Sequence, residues 1–415
     1  MTDQKLKLLQ DAILAGNIPS MVMNIISYAI SIRSSDIHIE PQKNTIRLRC
    51  RVDGVLREIV EYPHNLHPAV VSRIKIMSNL KIDEQRIPQD GRCHVTTEEA
   101  KEMDLRVSTL PTPNGEKVVM RIQDESKEIP KLEDLGIEGA SLKNILYGLS
   151  VPNGIMLTSG PTGSGKTTTL YSCLNILNKP EVNIMTIEDP IEIQMDGLNQ
   201  SQVHPDIEYT FATGLRTALR QDPNIIMVGE IRDRETINIA IEAALTGHLV
   251  LSTIHTNSAV ETLTRIDNMG IPPFLMTGAI NAIIAQRLVR RICSKCAAPE
   301  TPDPRTFELL KKESALIPTT ENIDQEKLQK LQFLKGKGCD ECQGSGYHGR
   351  VGLYEVMKLT DNIKQMIIDK KSTLEIEKQA ISEGMVNLFQ SGIIKALRGE
   401  TTMEEIFRVA KSRSQ

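Results

Sequence analysis

Residues 160–168 read GPTGSGKTT, and this stretch constrains the fold more than any other part of the chain. It fits G-x-x-x-x-G-K-[ST], with Gly160, Gly165, Lys166 and Thr167 at the defining positions and Pro161, Thr162, Gly163, Ser164 and Thr168 completing the loop. Glycines let the backbone turn tightly and present successive N–H groups to phosphate oxygens. A helix that starts at the loop adds the positive end of its dipole. In that arrangement Lys166 reaches the β- and γ-phosphates of a nucleoside triphosphate, and the Thr167 hydroxyl ligates Mg2+. The flanks agree. Gly154–Ser159 is an apolar run of strand length, and Leu170, Cys173, Leu174 and Leu177 follow at helical spacing. Strand, loop and helix in this order predict a P-loop nucleotide-hydrolase core of the α/β class, with helices on both faces of a parallel sheet.

A chain of 415 residues has room for about two or three domains. The formal net charge of −4 and the absence of Trp, with six Phe and seven Tyr, argue against a bulk nucleic-acid binder or a base-stacking surface. The start, MTDQKLKLLQDAIL, is amphipathic and mixed in charge, unlike a targeting segment. The most apolar region, 271–284, is broken by Pro272, Pro273, Gly278 and Asn281, which excludes a membrane span there. The composition therefore reads as a cytoplasmic protein that meets a membrane through partners.

Residues 1–33 read as a helical segment with Leu6, Leu9, Ile13 and Leu14 on one face. Residues 34–123 read as a small α+β domain, with strands at 37–40, 45–50, 55–60, 93–96, 103–109 and 117–122, a helix over 68–80, and a hairpin turn at Asp53-Gly54. A linker is expected over 124–150 and the P-loop domain over 151–290. A cysteine-bearing module follows over 291–352. A helical tail over 353–415 has Leu374, Ile376, Met385, Leu388, Ile394 and Ile406 as core positions.

Three further stretches of the P-loop domain suit hydrolysis. MTIEDPIE (185–192) is a strand ending in Glu188 and Asp189, with Glu192 just beyond. Carboxylates at a strand's C-terminal end lie beside the phosphate site in such a sheet and are expected to hold Mg2+ or polarise water. IIMVGE (225–230) is a buried strand with Gly229 where a magnesium-directing acid would stand, and Glu230 is the expected general base. GHLVLSTIH (247–255) places His248 and His255 on either side of a strand, with His255 near the γ-phosphate. Arg106 and Arg121, and more weakly Arg86 and Arg92, are candidates to neutralise phosphoryl charge.

Four of the seven cysteines form two C-x-x-C pairs, Cys293/Cys296 and Cys339/Cys342. In a reducing compartment this spacing predicts a closed, structural Zn2+ site with no catalytic position.

These motifs together resemble the ATPases of type II secretion and type IV pilus assembly, the GspE/PilB type. The resemblance covers about residues 30–412. It rests on SDIHIEP (35–41), RVDG (51–54), QDGR (89–92), RVSTLPTPNGE (106–116), the P-loop, TIEDPIE (186–192), LRQDPNIIMVGEIRD (219–233), TGHLVLSTIHTN (246–257), the cysteine pairs and GRVGLYEV (349–356). It implies a RecA-like core preceded by a PAS-like α+β domain and interrupted by a zinc insert. It implies ATP and Mg2+ as ligands. The family's Walker A role falls on Gly160, Gly163, Gly165, Lys166 and Thr167, its acidic box on Glu188, Asp189 and Glu192, its catalytic glutamate on Glu230, its histidine box on His248 and His255, and its phosphate-contacting arginines on Arg106 and Arg121. It further implies a homohexameric ring, peripheral at the inner membrane, that passes motion to a polytopic platform protein and docks to an adaptor. The zinc insert favours assembly or secretion over retraction. Two departures stand out: only about 30 residues precede SDIHIEP, where the family often has a long extension, and Asn224 stands where it often has Asp. A motor acting directly on DNA, as in uptake or conjugation, is the competing expectation, and a nucleotide-dependent scaffold is a third.

Overall fold

The structure, a computed structural model, describes residues 2–96, 102–123, 128–318, 321 and 331–410. It divides into two compact units, Met1–Glu128 and Ile129–Gln415.

The first unit opens with two helices, Thr2–Ala15 and Ile18–Ser31, where one was expected. Gly16, at φ 63°, ends the first helix, and the Asn17 side chain caps the second by accepting the Ser20 N–H. Leu9 is buried as the periodicity demands, but Leu14 is 85% exposed. Six antiparallel strands follow, β1 (Ser34–Pro41), β2 (Thr45–Val52), β3 (Val55–Pro63), β4 (Gln89–Thr96), β5 (Glu102–Thr112) and β6 (Gly115–Gln123), in the order β3-β2-β1-β6-β5-β4. In β2, Ile46, Leu48, Cys50 and Val52 alternate into the core while Arg47, Arg49 and Arg51 face outward. Asp53 and Gly54 both take positive φ, the geometry of a two-residue primed turn joining β2 to β3. The helix over the sheet is His67–Met77.

The second unit holds a seven-stranded sheet in the order β15-β12-β7-β11-β10-β8-β9. The strands are β7 (Gly154–Ser159), β8 (Ile184–Glu188), β9 (Leu198–Gln202), β10 (Ile225–Val228), β11 (Leu249–Ile254), β12 (Ile280–Ile292) and β15 (Tyr347–Lys358); a separate short ribbon pairs β13 (Ala297–Glu300) with β14 (Phe333–Gly336). All neighbours in the large sheet run parallel except β15, which is antiparallel to β12. Strands buried on both faces read as continuous apolar runs, as in β7, β10 and β11. Their alternate residues feed two cores. Ile155, Leu157, Ile226, Val228 and Val250 join one, and Met156, Ile225, Met227, Leu249 and Leu251 join the other.

Three boundaries differ from the sequence expectation. Residues 124–127 of the expected linker lie outside the described residues, and from Ile129 the chain already belongs to the second unit. Its helix Gly139–Ser150 buries Ile145 and Leu149 in the core shared with Met156 and Val356. GRVGLYEV lies in a strand of the large sheet, because Val351–Met357 is buried along its whole length against β12. The C-terminal helices Asp361–Ile368, Thr373–Ser382, Leu388–Leu397 and Met403–Val409 pack into the same core as the sheet. Ile376, Met385, Leu388 and Ile406 are buried there and Ile394 is buried as well, while Leu374 is 53% exposed. It sits in the first turn of its helix, where Ser372 and Glu375 form a capping box. Among the described residues no helix is long and apolar enough to cross a membrane.

Candidate nucleotide site and cysteine cluster

In a parallel sheet the C-terminal strand ends share one edge, and that edge is where ligands bind. The order β7-β11-β10-β8 places Gly160, His255, Glu230 and Glu188 along this edge in that sequence. The phosphate loop therefore stands next to His255, and His255 next to Glu230.

The loop geometry explains its glycines. Gly160 (φ 146°), Gly163 (φ 75°) and Gly165 (φ 86°) occupy the positive-φ region that side chains disfavour. A Cβ on Gly160 would also lie 2.6 Å from the Gln286 carbonyl oxygen. The helix Lys166–Leu177 starts directly behind Gly165. Lys166 Nζ donates to the Gly160 and Pro161 carbonyls at 2.9 and 3.0 Å. Burial pushes the Lys166 ammonium below its usual range and Arg287 adds to this, while the carboxylates of Glu230 and Glu192 pull the other way. Ser164 is buried, whereas Thr167 and Thr168, in the first helical turn, stay partly open.

Glu230 is held from two sides. His255 Nε2 lies 2.7 Å from one carboxylate oxygen, and Arg232 Nε donates to the other at 2.6 Å. Arg232 was not anticipated, since a charged residue in a loop carries no periodic signal. Gly229 is needed beside it: a Cβ there would sit 3.2 Å from the Ile187 carbonyl oxygen.

The acidic box divides. Asp189 and Glu192 are exposed, but Glu188 is 2% exposed and its oxygens are engaged by Tyr171, Thr186 and Gln200. Glu188 was expected beside the nucleotide; its carboxylate is instead committed to the protein interior. His248 is a second correction. It precedes β11, whereas His255 follows it, and a six-residue strand at about 3.3 Å per residue separates them by about 20 Å. His248 Nδ1 lies 2.9 Å from the Ala243 carbonyl oxygen, at the edge opposite the phosphate loop. Bracketing a strand places two residues at opposite ends of it, and only one end faces the site. Asn224 is at that far edge too, accepting the Asn183 N–H.

Sequence reasoning also missed Gln286 and Arg287, which lie in the long strand β12. Gln286 is 1% exposed and donates to the Ser164 carbonyl at 2.6 Å, pinning the phosphate loop from β12. Arg287 donates to the Gln286 and Asn257 carbonyls, tying that strand to the segment after His255.

In the first unit, cross-strand register aligns Arg92 with Arg106, Arg106 with Arg121, and Arg121 with Asp36. Like charges set directly opposite are unfavourable without a counter-charge. Asp36 supplies one, 3.1 Å from Arg121 and 3.3 Å from Arg51. Asp36, Asp90, Arg92, Arg106, Ser108 and Arg121 line a cavity of about 370 Å³. Arg86 is apart from this row, with its side chain 92% exposed beside Glu84.

The cysteines are brought together by pairing. Cys293 follows β12 and Cys339 and Cys342 precede β15, so the β12/β15 pair closes on them, and the β13/β14 ribbon adds Cys296. Sγ separations are 3.8 Å for Cys293–Cys339, 3.8 Å for Cys296–Cys342 and 3.7 Å for Cys339–Cys342. A tetrahedron with Zn–S bonds of about 2.3 Å has S···S edges of about 3.8 Å, so the four sulfurs fit zinc. The Cys339 and Gly346 amides each donate to the Cys342 sulfur at 3.2 Å. Burial pushes that thiol up, but these bonds and its cysteine neighbours bring it down to about 6.

The chain matches the sequence profile described as "Type II/IV secretion system protein" over residues 12–408. It is 47% identical to the type IV pilus assembly ATPase PilB of Myxococcus xanthus over 93% of this chain and 66% of that protein. It is 44% identical to the type II secretion system protein E of Pseudomonas aeruginosa over 94% of this chain and 75% of that one. The chain thus spans about two thirds of the length of the pilus-assembly relative. Its fold is that of the Legionella pneumophila ATPase DotB, with a TM-score of 0.65 at 20% identity, over 93% of this chain and 94% of that one. With the profile covering nearly the whole chain and relatives this similar, the chain belongs to the type II/IV secretion system protein family.

Proposed function

We propose that the protein is a Mg2+-dependent ATPase that couples hydrolysis to pilus or pseudopilus assembly, or to protein secretion. The observation that carries this reading is the placement of Lys166, His255 and Glu230 side by side at the C-terminal edge of the parallel sheet. Lys166 and the loop N–H groups bind the β- and γ-phosphates. Glu230 takes the proton of the attacking water, with His255 and Arg232 fixing its carboxylate. With both Glu188 oxygens occupied, Thr167, Asp189 and Glu192 are the oxygen ligands left for Mg2+. Arg106 and Arg121 contribute positive charge to the transferring phosphoryl group.

The arginine assignment makes a prediction. Arg106→Ala and Arg121→Ala are expected to lower kcat about tenfold or more while changing ATP affinity little, since arginines of this kind act mainly on the transition state. Steady-state kinetics beside nucleotide titration measure this, and unchanged kcat would assign both residues to the Asp36 ion pairs alone.

The four cysteines hold one structural Zn2+, whose role is to fold the module over 293–347. Elemental analysis is expected to give about one zinc per chain. Chelation, or Cys296→Ser, should speed hydrogen exchange in this module before the rest of the sheet responds. Absence of metal, or uniform loosening of the whole unit, would remove the zinc assignment.

The reading further gives the protein a homohexameric ring at the cytoplasmic side of the inner membrane, engaging a polytopic platform protein and an adaptor. Cross-linking in cells and affinity capture from membranes should recover the platform protein with pilins or pseudopilins. A motor on DNA would instead recover DNA-processing proteins and show a steeply salt-dependent gel shift.

A further inference from the structure

Glu188 and Tyr171 are buried and, with the half-buried Gln200, form a polar hub with every hydrogen-bonding group employed. The Tyr171 hydroxyl donates to one Glu188 oxygen at 2.5 Å and accepts the N–H groups of Glu192 and Ile193 at 3.3 and 3.4 Å. The other Glu188 oxygen accepts from Thr186 Oγ1 at 2.5 Å and from Gln200 Nε2 at 3.1 Å. Gln200 Nε2 also donates to the Ile193 carbonyl, and its Oε1 accepts the Met195 N–H. A tyrosine hydroxyl has one donor and two acceptor positions, and a glutamine amide two donors and an acceptor oxygen, so neither residue has a donor to spare.

The consequence is positional. Four main-chain groups between Glu192 and Met195 are held by two side chains, and both side chains are anchored on Glu188. Tyr171 projects from the helix that begins at Lys166, five residues further on. The hub therefore fixes the segment bearing Glu192 to the same helix that bears the phosphate-binding lysine. Glu192 itself is exposed, and its charge reaches the Lys166 ammonium.

We propose that Tyr171, locked by Glu188, is a positioning residue that sets the Glu192 carboxylate for ATP turnover. This rests on the reading above that Glu192 takes part in hydrolysis. Glu188 then acts through Tyr171 and Gln200, which accounts for an acid of the box being buried.

Tyr171→Phe keeps the ring and removes the hydroxyl, so it frees the two N–H groups without opening a cavity. Small displacements of a catalytic group cost on the order of 10²-fold, so kcat should fall about tenfold to a hundredfold with KM for ATP nearly unchanged. Two measurements on the whole purified protein separate positioning from general destabilisation. The first compares Tyr171→Phe in wild-type and Glu192→Gln backgrounds: loss of kcat in the former and almost none in the latter supports the relay, and equal losses in both overturn it. The second follows hydrogen exchange at the Glu192 and Ile193 amides. Faster exchange there, with Lys166–Leu177 unchanged, supports it, and a fall in kcat without faster exchange at these amides overturns it. If Glu192→Gln alone turns over at the wild-type rate, the role of Glu192 fails and the relay with it. If that variant is impaired while Tyr171→Phe is not, only the relay fails.

Discussion

Replacing Lys166 by alanine is expected to abolish ATP turnover, with a loss of at least about 10²- to 10³-fold, the effect of removing one preorganised donor to developing oxyanion charge. The lysine is the only residue of the loop that carries a full positive charge. Its charge interacts with two carboxylates, so its removal also leaves Glu230 and Glu192 to repel the phosphates without that cation. Binding and chemistry should therefore fail together, which titration of a fluorescent nucleotide alongside a phosphate-release assay would resolve. Circular dichroism should show an intact fold, because among the described residues the Lys166 side chain hydrogen-bonds only to the carbonyls of its own loop. Turnover at the wild-type rate would remove the phosphate-binding assignment.

Glu230→Gln is expected to behave differently. The amide is nearly isosteric and keeps an oxygen for the His255 or Arg232 contact, but it does not accept the proton of water. Hydrolysis should drop about 10²- to 10⁴-fold, the usual contribution of a general base, while ATP affinity is retained or rises. The expected product is a nucleotide-bound state that persists, visible as ATP recovered intact from the protein after gel filtration. If turnover survives, the base lies elsewhere at the same edge, and Glu192 is the first residue to test.

Residues whose role is written into local backbone geometry were legible in the sequence. The phosphate loop needs positive φ at Gly160, Gly163 and Gly165, and only a glycine pattern supplies it. Asp53-Gly54 was readable for the same reason. Strand ends were readable as a class, because carboxylates after an apolar run must leave the sheet at one of its edges. Which edge, and whether the side chain turns outward, depends on neighbours that are distant in the chain. Glu188 turns inward because Tyr171, 17 positions earlier, and Gln200, 12 positions later, meet it there. Gln286 was hidden because it lies in a mostly buried strand that also carries Asn281 and three arginines, and one more polar residue there has no periodic signature. The C-terminal strand β15 was invisible because its partner β12 precedes it by an intervening module of cysteines and helix.

The continuity of β12 has a mechanical meaning. The same strand carries Gln286, which grips the phosphate loop, and runs into Cys293, seven residues on, or about 23 Å at about 3.3 Å per residue. Hydrogen bonds to β7 hold it as far as Ala285, and β15 pairs along it as far as Ile292. Among the described residues β15 alone pairs with it beyond Ala285, so the phosphate loop and the cysteine cluster stand at the two ends of a two-stranded ribbon. The four cysteines gather just past the Ile292–Tyr347 pair, where that ribbon ends.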